Sequence, residues 1–371
     1  MSGHSIQPEG DNMLSTTRRR TLQWLGLGGA ASLAGCATEA PTTAQSLDGA
    51  DEPTQQGSAD LVDQVAADPT DIPGPIDRSE PAEVDVTLRP EEVTAEVEDG
   101  VTFTYTTYNG QVPGPLVRVR QGDTVNLTFE NPEENTMPHN VDFHAVAGPG
   151  GGAEATMTNP GETAHLRFKA TYPGAYIYHC AVPNMDMHIS AGMFGLILVE
   201  PPEGLPEVDH EIYLGQHELY TDKDAGEEGQ HTFDYEAMRN EDPTYVLMNG
   251  EKYAWTPNGR GPAATVGTGE TVRVYFVDGG PNLSSSFHPI GSVWETLYPE
   301  GSLTTEPQTH IQTRQVPPGS TTIATMSSPV PGDFKLVDHS LSRVVRKGCM
   351  AVVRAEGPED PEIFDPDPDP Q

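Results

Sequence analysis

The chain has 371 residues, enough for two domains with cores of their own. It carries 56 acidic residues against 20 basic ones, a formal net charge of −36. Such a surface repels nucleic acid and anionic lipid, which makes both poor partners, and reads as the solvation of an extreme halophile whose salty medium screens the self-repulsion.

In chain order, residues 16–36 read TTRRRTLQWLGLGGAASLAGC. Arg19 and Arg20 precede an apolar run, Leu22 to Ala34, that is too short and Gly-rich to span a bilayer. The pair resembles a twin-arginine export signal, and Leu33-Ala34-Gly35-Cys36 resembles a lipobox in which Cys36 becomes the lipidated first residue of the mature chain. A disordered basic leader is the plainer alternative. The export reading makes 1–36 a signal and places the protein on the outer face of the cell membrane, held by lipid alone. Residues 37–80 are acidic and almost free of aromatics, so they are expected to be a disordered tether. The acidic tail, 357–371, reads the same way.

The body is patterned in short alternating runs: Val101-Thr-Phe-Thr-Tyr, Leu116-Val-Arg-Val-Arg, Thr124-Val-Asn-Leu-Thr-Phe and Gly195-Leu-Ile-Leu-Val, each bounded by Gly, Pro or Asn. No long stretch carries a helical period, so the fold class is all-β. An internal repeat divides it. In the first half GPLVRVRQGDTVNLTFEN leads to DFH, TNPGETAHLRF, YPGAYIYHC and MFGLILVE. The second half answers with AATVGTGETVRVYFVDG, SFH, QVPPGSTTIATM, VPGDFKLVDHS and GCMAVVRAE. Two antiparallel sandwiches, 81–200 and 208–356, follow from that order.

One stretch, HCAVPNMDMHISAGM at 179–193, concentrates a Cys, two His and three Met in a chain with three cysteines. On an extended strand neighbours face opposite sides. His179 and Cys180 therefore part company, and in MPHNVDFH at 137–144 Asp142 and His144 share a face that His139 does not. Parity sorts the residues into two sets, His139 with Cys180 and His144 with His179. The first set gains His188 and Met193: two imidazoles, a thiolate and a thioether, the ligands of a blue-copper centre, whereas zinc would more often take further thiolates. The second set keeps room for a third ligand and an open position, which chemistry requires. Met185 and Met187 read as packing. His4, His165, His210, His217, His231 and His310 read as surface or core residues, and Cys349 as a buried free thiol.

With these residues in place the chain resembles the copper-containing nitrite reductases from about residue 85 to 355. The resemblance is carried by YNGQVPGPLVRVRQGDTV, MPHNVDFHA, YIYHCAVPNMDMHISAGM, YVLMNGEKY, SFHPIG and VDHSLSRVV. It implies two tandem cupredoxin domains of Greek-key form and two coppers per subunit. His139, Cys180, His188 and Met193 would hold type 1 copper. His144 and His179 would hold type 2 copper, with His339 donated by a neighbouring subunit of a homotrimer. Asp142 and His288 would be the acid–base pair and Ile290 would shape the substrate pocket. One departure concerns the loop after Cys180: seven residues separate it from His188, where many members have eight and a Pro-Trp-His segment.

The implied reaction is reduction of nitrite to nitric oxide and water by one electron and two protons. The electron would arrive from a small blue-copper protein or a cytochrome docking near the His188 loop, and pass along Cys180–His179 from one copper to the other. Asp142 and His288 would deliver the protons. Three rivals are weaker. A laccase-like oxidase would place a His after the Cys, where Ala181 stands. An electron carrier needs only the first set. A copper-sequestering lipoprotein explains export but neither the parity nor the acid–base pair.

Overall fold

The structure is a computed structural model that describes residues 61–368. The export signal, Cys36 and the tether up to residue 60 lie outside the described residues. All described residues belong to one compact unit.

The first half supplies nine strands: β1 (Glu83–Leu88), β2 (Pro90–Glu98), β3 (Val101–Tyr108), β4 (Val117–Arg120), β5 (Thr124–Glu130), β6 (Asp142–Phe143), β7 (Thr163–Lys169), β8 (Gly174–His179) and β9 (Phe194–Glu200). They form sheets β1-β5-β7 and β4-β9-β8-β6, with β2 and β3 paired in a third. The alternating runs all form strands, but not all alternate in burial: β4, with Arg118 and Arg120, is buried at every position. In β5, Val125, Leu127 and Phe129 are buried and the Thr and Asn residues between them half-buried. β9 is buried along its whole length, because it is covered on both faces.

The second half adds β10 (His210–Leu219), β11 (Gly229–His231), β12 (Tyr245–Met248), β13 (Ala264–Gly267), β14 (Thr271–Gly280), β15 (Ser285–Ile290), β16 (Trp294–Tyr298), β17 (Gln308–Ile311), β18 (Arg314–Val316), β19 (Ser320–Ser327), β20 (Gly332–Asp338) and β21 (Met350–Glu356). These make a six-stranded sheet, β12-β10-β14-β19-β16-β17, and a five-stranded one, β13-β21-β20-β15-β18. Between them lies a core of Phe276, Phe287 and Trp294, whose rings stack at 3.9 and 4.9 Å. Helices are short: α1 (Met185–Ser190) and α2 (Tyr235–Arg239).

The halves share a core. Phe194, Leu196 and Leu198 of β9 cluster with Tyr213, Tyr275, Val277 and Ile323 of the second half, and β11 extends the β2–β3 sheet by parallel pairing with β3.

Two expectations need correction. Residues 61–80 do not form a loose tether, since Val65, Ala66 and Ala67 are at most 3% exposed. Glu251 accepts the amides of Val65 and Ala66 at 3.1 and 3.2 Å, and Val112 exchanges backbone hydrogen bonds with this segment. Backbone that has no aromatic anchor is ordered here by three small apolar residues and by partners for its polar groups, among them Glu251, Val112 and Asn249. The second correction concerns the repeat. The β8–β9 and β20–β21 hairpins share a register in which His179 corresponds to Val337. His179 pairs with Asp142, and Val337 pairs with His288. His288 therefore stands in the place of Asp142, not of His144, because β15 is displaced by two residues.

Candidate metal centres

β8 ends at His179, and the pleat sends His179 and Cys180 to opposite sides. Ligand atoms of His139, Cys180 and His188 lie within 4.8 Å of one another, and all three residues are buried. The His139 Nδ1 is 4.0 Å from the thiol, and the two imidazoles meet edge to face at 5.2 Å. His188 is carried by α1, which starts after Asn184 turns the chain through the left-handed region at φ 65°. Met193 is fully buried; its carbonyl accepts the Cys180 amide at 3.1 Å and its amide donates to the His188 carbonyl at 2.9 Å. Met187 belongs to the core as expected, whereas Met185 is 46% exposed on the same helix.

The chemistry of this set suits a soft cation. Burial pushes the Cys180 thiol up to about 11, against the pull of backbone amides, so without metal it is a neutral thiol. Burial, then the charge on His139, pushes the His188 imidazole down to about 3, leaving it neutral. The His188 Nδ1 is buried with no hydrogen-bond partner among the described residues, a costly orphan unless a ligand takes it. Copper fits: a thiol that a metal can deprotonate and two imidazoles, with buried Met193 bonded through its backbone to Cys180 and His188.

The second set gathers Asp142, His144 and His179, whose ligand atoms also lie within 4.8 Å. The two Nε2 atoms face one another at 3.1 Å. The His179 Nδ1 is 2.9 Å from the Cys180 carbonyl and donates to it, which leaves Nε2 as the free lone pair. His144 reaches the molecular surface; desolvation and then repulsion from His179 outweigh Asp142 and hold its pKa below the usual histidine range. Asp142 lies against Gly151, which has φ 54°, and a Cβ there would come within 1.8 Å of the Asp142 Oδ1. Only glycine leaves that space.

His288 and His339 come together elsewhere, their rings 5.1 Å apart. His288 is half-buried on β15 beside the Gln312 carbonyl and the Thr313 hydroxyl, His339 is exposed, and Ile290 is 37% exposed further along β15. Neither histidine joins the His144 group of its own chain among the described residues. His165, His210, His217, His231 and His310 stay outside both sets. Strand alternation accounts for only part of this separation. Only Asp142 and Phe143 are strand, and His139 is placed by an isolated bridge to Thr158.

Two residues were not visible in the sequence. The Asn140 Oδ1 accepts the Ala181 amide at 2.7 Å and lies 3.7 Å from the thiol, tying the loop before β6 to the end of β8. Glu92 sits behind His139, its Oε1 3.4 Å from Nε2, and it also accepts the Thr136 amide and hydroxyl and the Met137 amide at 2.6–2.9 Å. Burial pushes the Glu92 carboxyl up, but those donors outweigh it and hold it below its ordinary value. An anion there fixes the proton on Nε2 and leaves Nδ1 to the metal. It also favours the more positive, cupric state. Glu92→Gln is therefore expected to keep the blue band and raise the midpoint potential in a redox titration; an unchanged or lowered potential contradicts this role.

A family model described as Multicopper oxidase matches residues 90–204. A copper-containing nitrite reductase from Neisseria meningitidis serogroup B is 46% identical over 309 residues, covering 83% of this chain and 78% of the relative. One from Alcaligenes faecalis is 36% identical over 297 residues, covering 75% and 77%. Among solved structures, a copper nitrite reductase from Nitrosomonas europaea superposes with a TM-score of 0.67 at 34% identity, covering 76% of this chain and 96% of that one.

Proposed function

This chain belongs to the copper-containing nitrite reductases, and from that premise we propose which of its residues divide the labour. It is a two-domain cupredoxin oxidoreductase that reduces nitrite by one electron, with two protons, to nitric oxide and water, and it carries a type 1 and a type 2 copper. His139, Cys180, His188 and Met193 hold type 1 copper. His144 and His179 hold type 2 copper together with His339 from a neighbouring subunit of a homotrimer. What supports the donated ligand is that His339 is exposed, sits beside His288 and is absent from the His144 group of its own chain. Copper held by the first set would supply one-electron redox chemistry, and copper held by the second would supply Lewis-acid polarisation of nitrite.

The side chains supply the rest. Asp142, within reach of the same atoms as His144 and His179, hydrogen-bonds a substrate oxygen and passes it a proton. His288, fixed at Nδ1 by the Gln312 carbonyl and the Thr313 hydroxyl, supplies the second proton from Nε2. Ile290 narrows the pocket and excludes water. The donor, a small blue-copper protein or a cytochrome, docks over the His188 loop, where exposed Met185 offers an apolar contact. Cys36 anchors the exported protein by lipid to the outer face of the membrane, and the acidic surface adapts it to high salt.

The observation that carries this reading is the step from His179 to Cys180, neighbours in sequence whose side chains enter different sets and whose Nδ1 and carbonyl are hydrogen-bonded at 2.9 Å. Copper analysis of the purified protein is expected to find two ions per subunit and two kinds of cupric signal, with nitric oxide released from nitrite when a reduced dye supplies electrons. A single kind of cupric ion at full loading would reduce the protein to an electron carrier.

A further inference from the structure

The second barrel holds a buried polar cluster that the reaction does not use. In the shared hairpin register Cys180 corresponds to Asp338 and Met193 to Cys349. Both second-barrel residues are fully buried. Arg343 comes from the intervening loop, as His188 does in the first barrel, and its Nη1 donates to the Asp338 Oδ2 at 2.5 Å and to the Ser284 carbonyl at 2.7 Å. Gln216 donates to Asp338 at 3.3 Å and accepts the Cys349 thiol at 3.2 Å. Where the first barrel offers a thiol and a thioether to a metal cation, the second offers a carboxylate and a thiol, and a guanidinium supplies the positive charge.

The other carboxylate oxygen shows what the ion pair is for. The Asp338 Oδ1 accepts the Ser286 amide at 2.9 Å and the Ser340 amide at 3.0 Å. Ser286 lies two residues before His288 on β15, and Ser340 directly follows His339. The His339 amide donates to the Ser286 carbonyl at 2.7 Å, closing the ring. One oxygen thus ties the strand bearing His288 to the turn bearing His339.

From this we infer that the Asp338–Arg343 pair replaces a metal centre in the second barrel and acts as a positioning device, holding His288 and His339 in the relative placement the second copper centre needs. The inference rests on His339 and His288 serving that centre, as proposed above. A buried carboxylate with three kinds of donor is rigid in a way a surface turn is not, and its rotamer is fixed from both sides. The neighbouring acids Asp278 and Glu218 do not touch the two histidines; they accept amides of the 280–285 turn and brace its entry into β15.

The test is copper content by centre. In Asp338→Asn the second copper is expected to fall below about a tenth of its normal occupancy, with its cupric signal lost or altered, while the blue band of the first barrel is unchanged. Arg343→Lys, which keeps a cation, should restore much of what Arg343→Gln loses. Should Asp338→Asn strand a buried charge and fail to fold, the double variant Asp338→Asn with Arg343→Gln removes both charges and decides the matter by the same measurement. Full second-centre occupancy with a normal signal in either variant overturns the inference. So does joint loss of both centres with collapse of the fold in both, which would mark a structural ion pair only. His339→Ala separates the two claims. If it keeps the second copper, the ligand assignment fails; if it loses the copper and Asp338→Asn does not, the positioning inference alone fails.

Discussion

Replacing His144 with alanine is expected to abolish nitrite turnover, by about 10³-fold or more, while the blue type 1 centre stays in place. His144 gives its Nε2 to the point that His179 also faces, 3.1 Å away, and its lowered pKa keeps it neutral and available at pH 7. Without it, His179 and the His339 proposed to come from a neighbouring subunit remain, one imidazole short of a three-histidine site. The first set loses nothing, because His144 belongs to the opposite side of the sheet and none of the atoms around Cys180 depends on it. Reduction of the type 1 centre by a dye should proceed at its normal rate, and only the onward transfer should fail. Measuring that reduction and nitric oxide release on one sample separates an enzyme from a carrier. Unchanged release from the variant would remove the second set from the mechanism.

The parts of this arrangement legible in the sequence are those governed by short periods. The two-residue period of a strand sends His179 and Cys180 apart, and one glance at adjacent letters is enough to say so. The buried face of β5 is equally plain. The parts not legible in the sequence depend on contacts far apart in the chain. Glu92 is one carboxylate among 56 acidic residues, distinguished only by meeting the loop of His139, 47 positions later. The 61–67 segment has the composition of a tether, and partners far along the chain, Val112 and Asn249 as well as Glu251, some 185 residues on, satisfy its buried backbone. The repeat is visible, but its register is not. SFH looks like the partner of DFH, yet the sheet slides β15 by two residues and sets His288 where Asp142 stands. Matching letters report ancestry of the strand; hydrogen bonds decide which side chain reaches the site.

Removing Arg118 should destabilise the protein by about 3–5 kcal/mol, because it strands buried carboxylates. Arg118 is 1% exposed in its side chain and bonds Glu200 of its own half at 2.5 Å and Glu211 of the other half at 2.6 Å, as well as the Pro73 carbonyl. Arg273 and Tyr275 complete the shell of Glu211 at 2.8 and 2.7 Å. Burial pushes the Glu211 carboxyl up, yet Arg118, Tyr275 and Arg273 together hold it below the ordinary carboxylate range. A depressed carboxyl contributes stability above its unfolded pKa, about 4.3, and that contribution is lost as the pH falls through the folded value. The gap between the native protein and Arg118→Met should therefore be widest near neutrality and narrow on acidification, in urea or thermal unfolding followed at fixed salt. Salt separates this network from the surface. The repulsion among exposed acids is screened as salt rises, so both proteins should gain stability together. The buried pair is shielded from ions by the two halves it joins, so the difference between them should barely move between low and molar salt. A gap that closed with salt instead would mean that Arg118 acts through the surface field and that the seam between the halves is held by apolar contact alone.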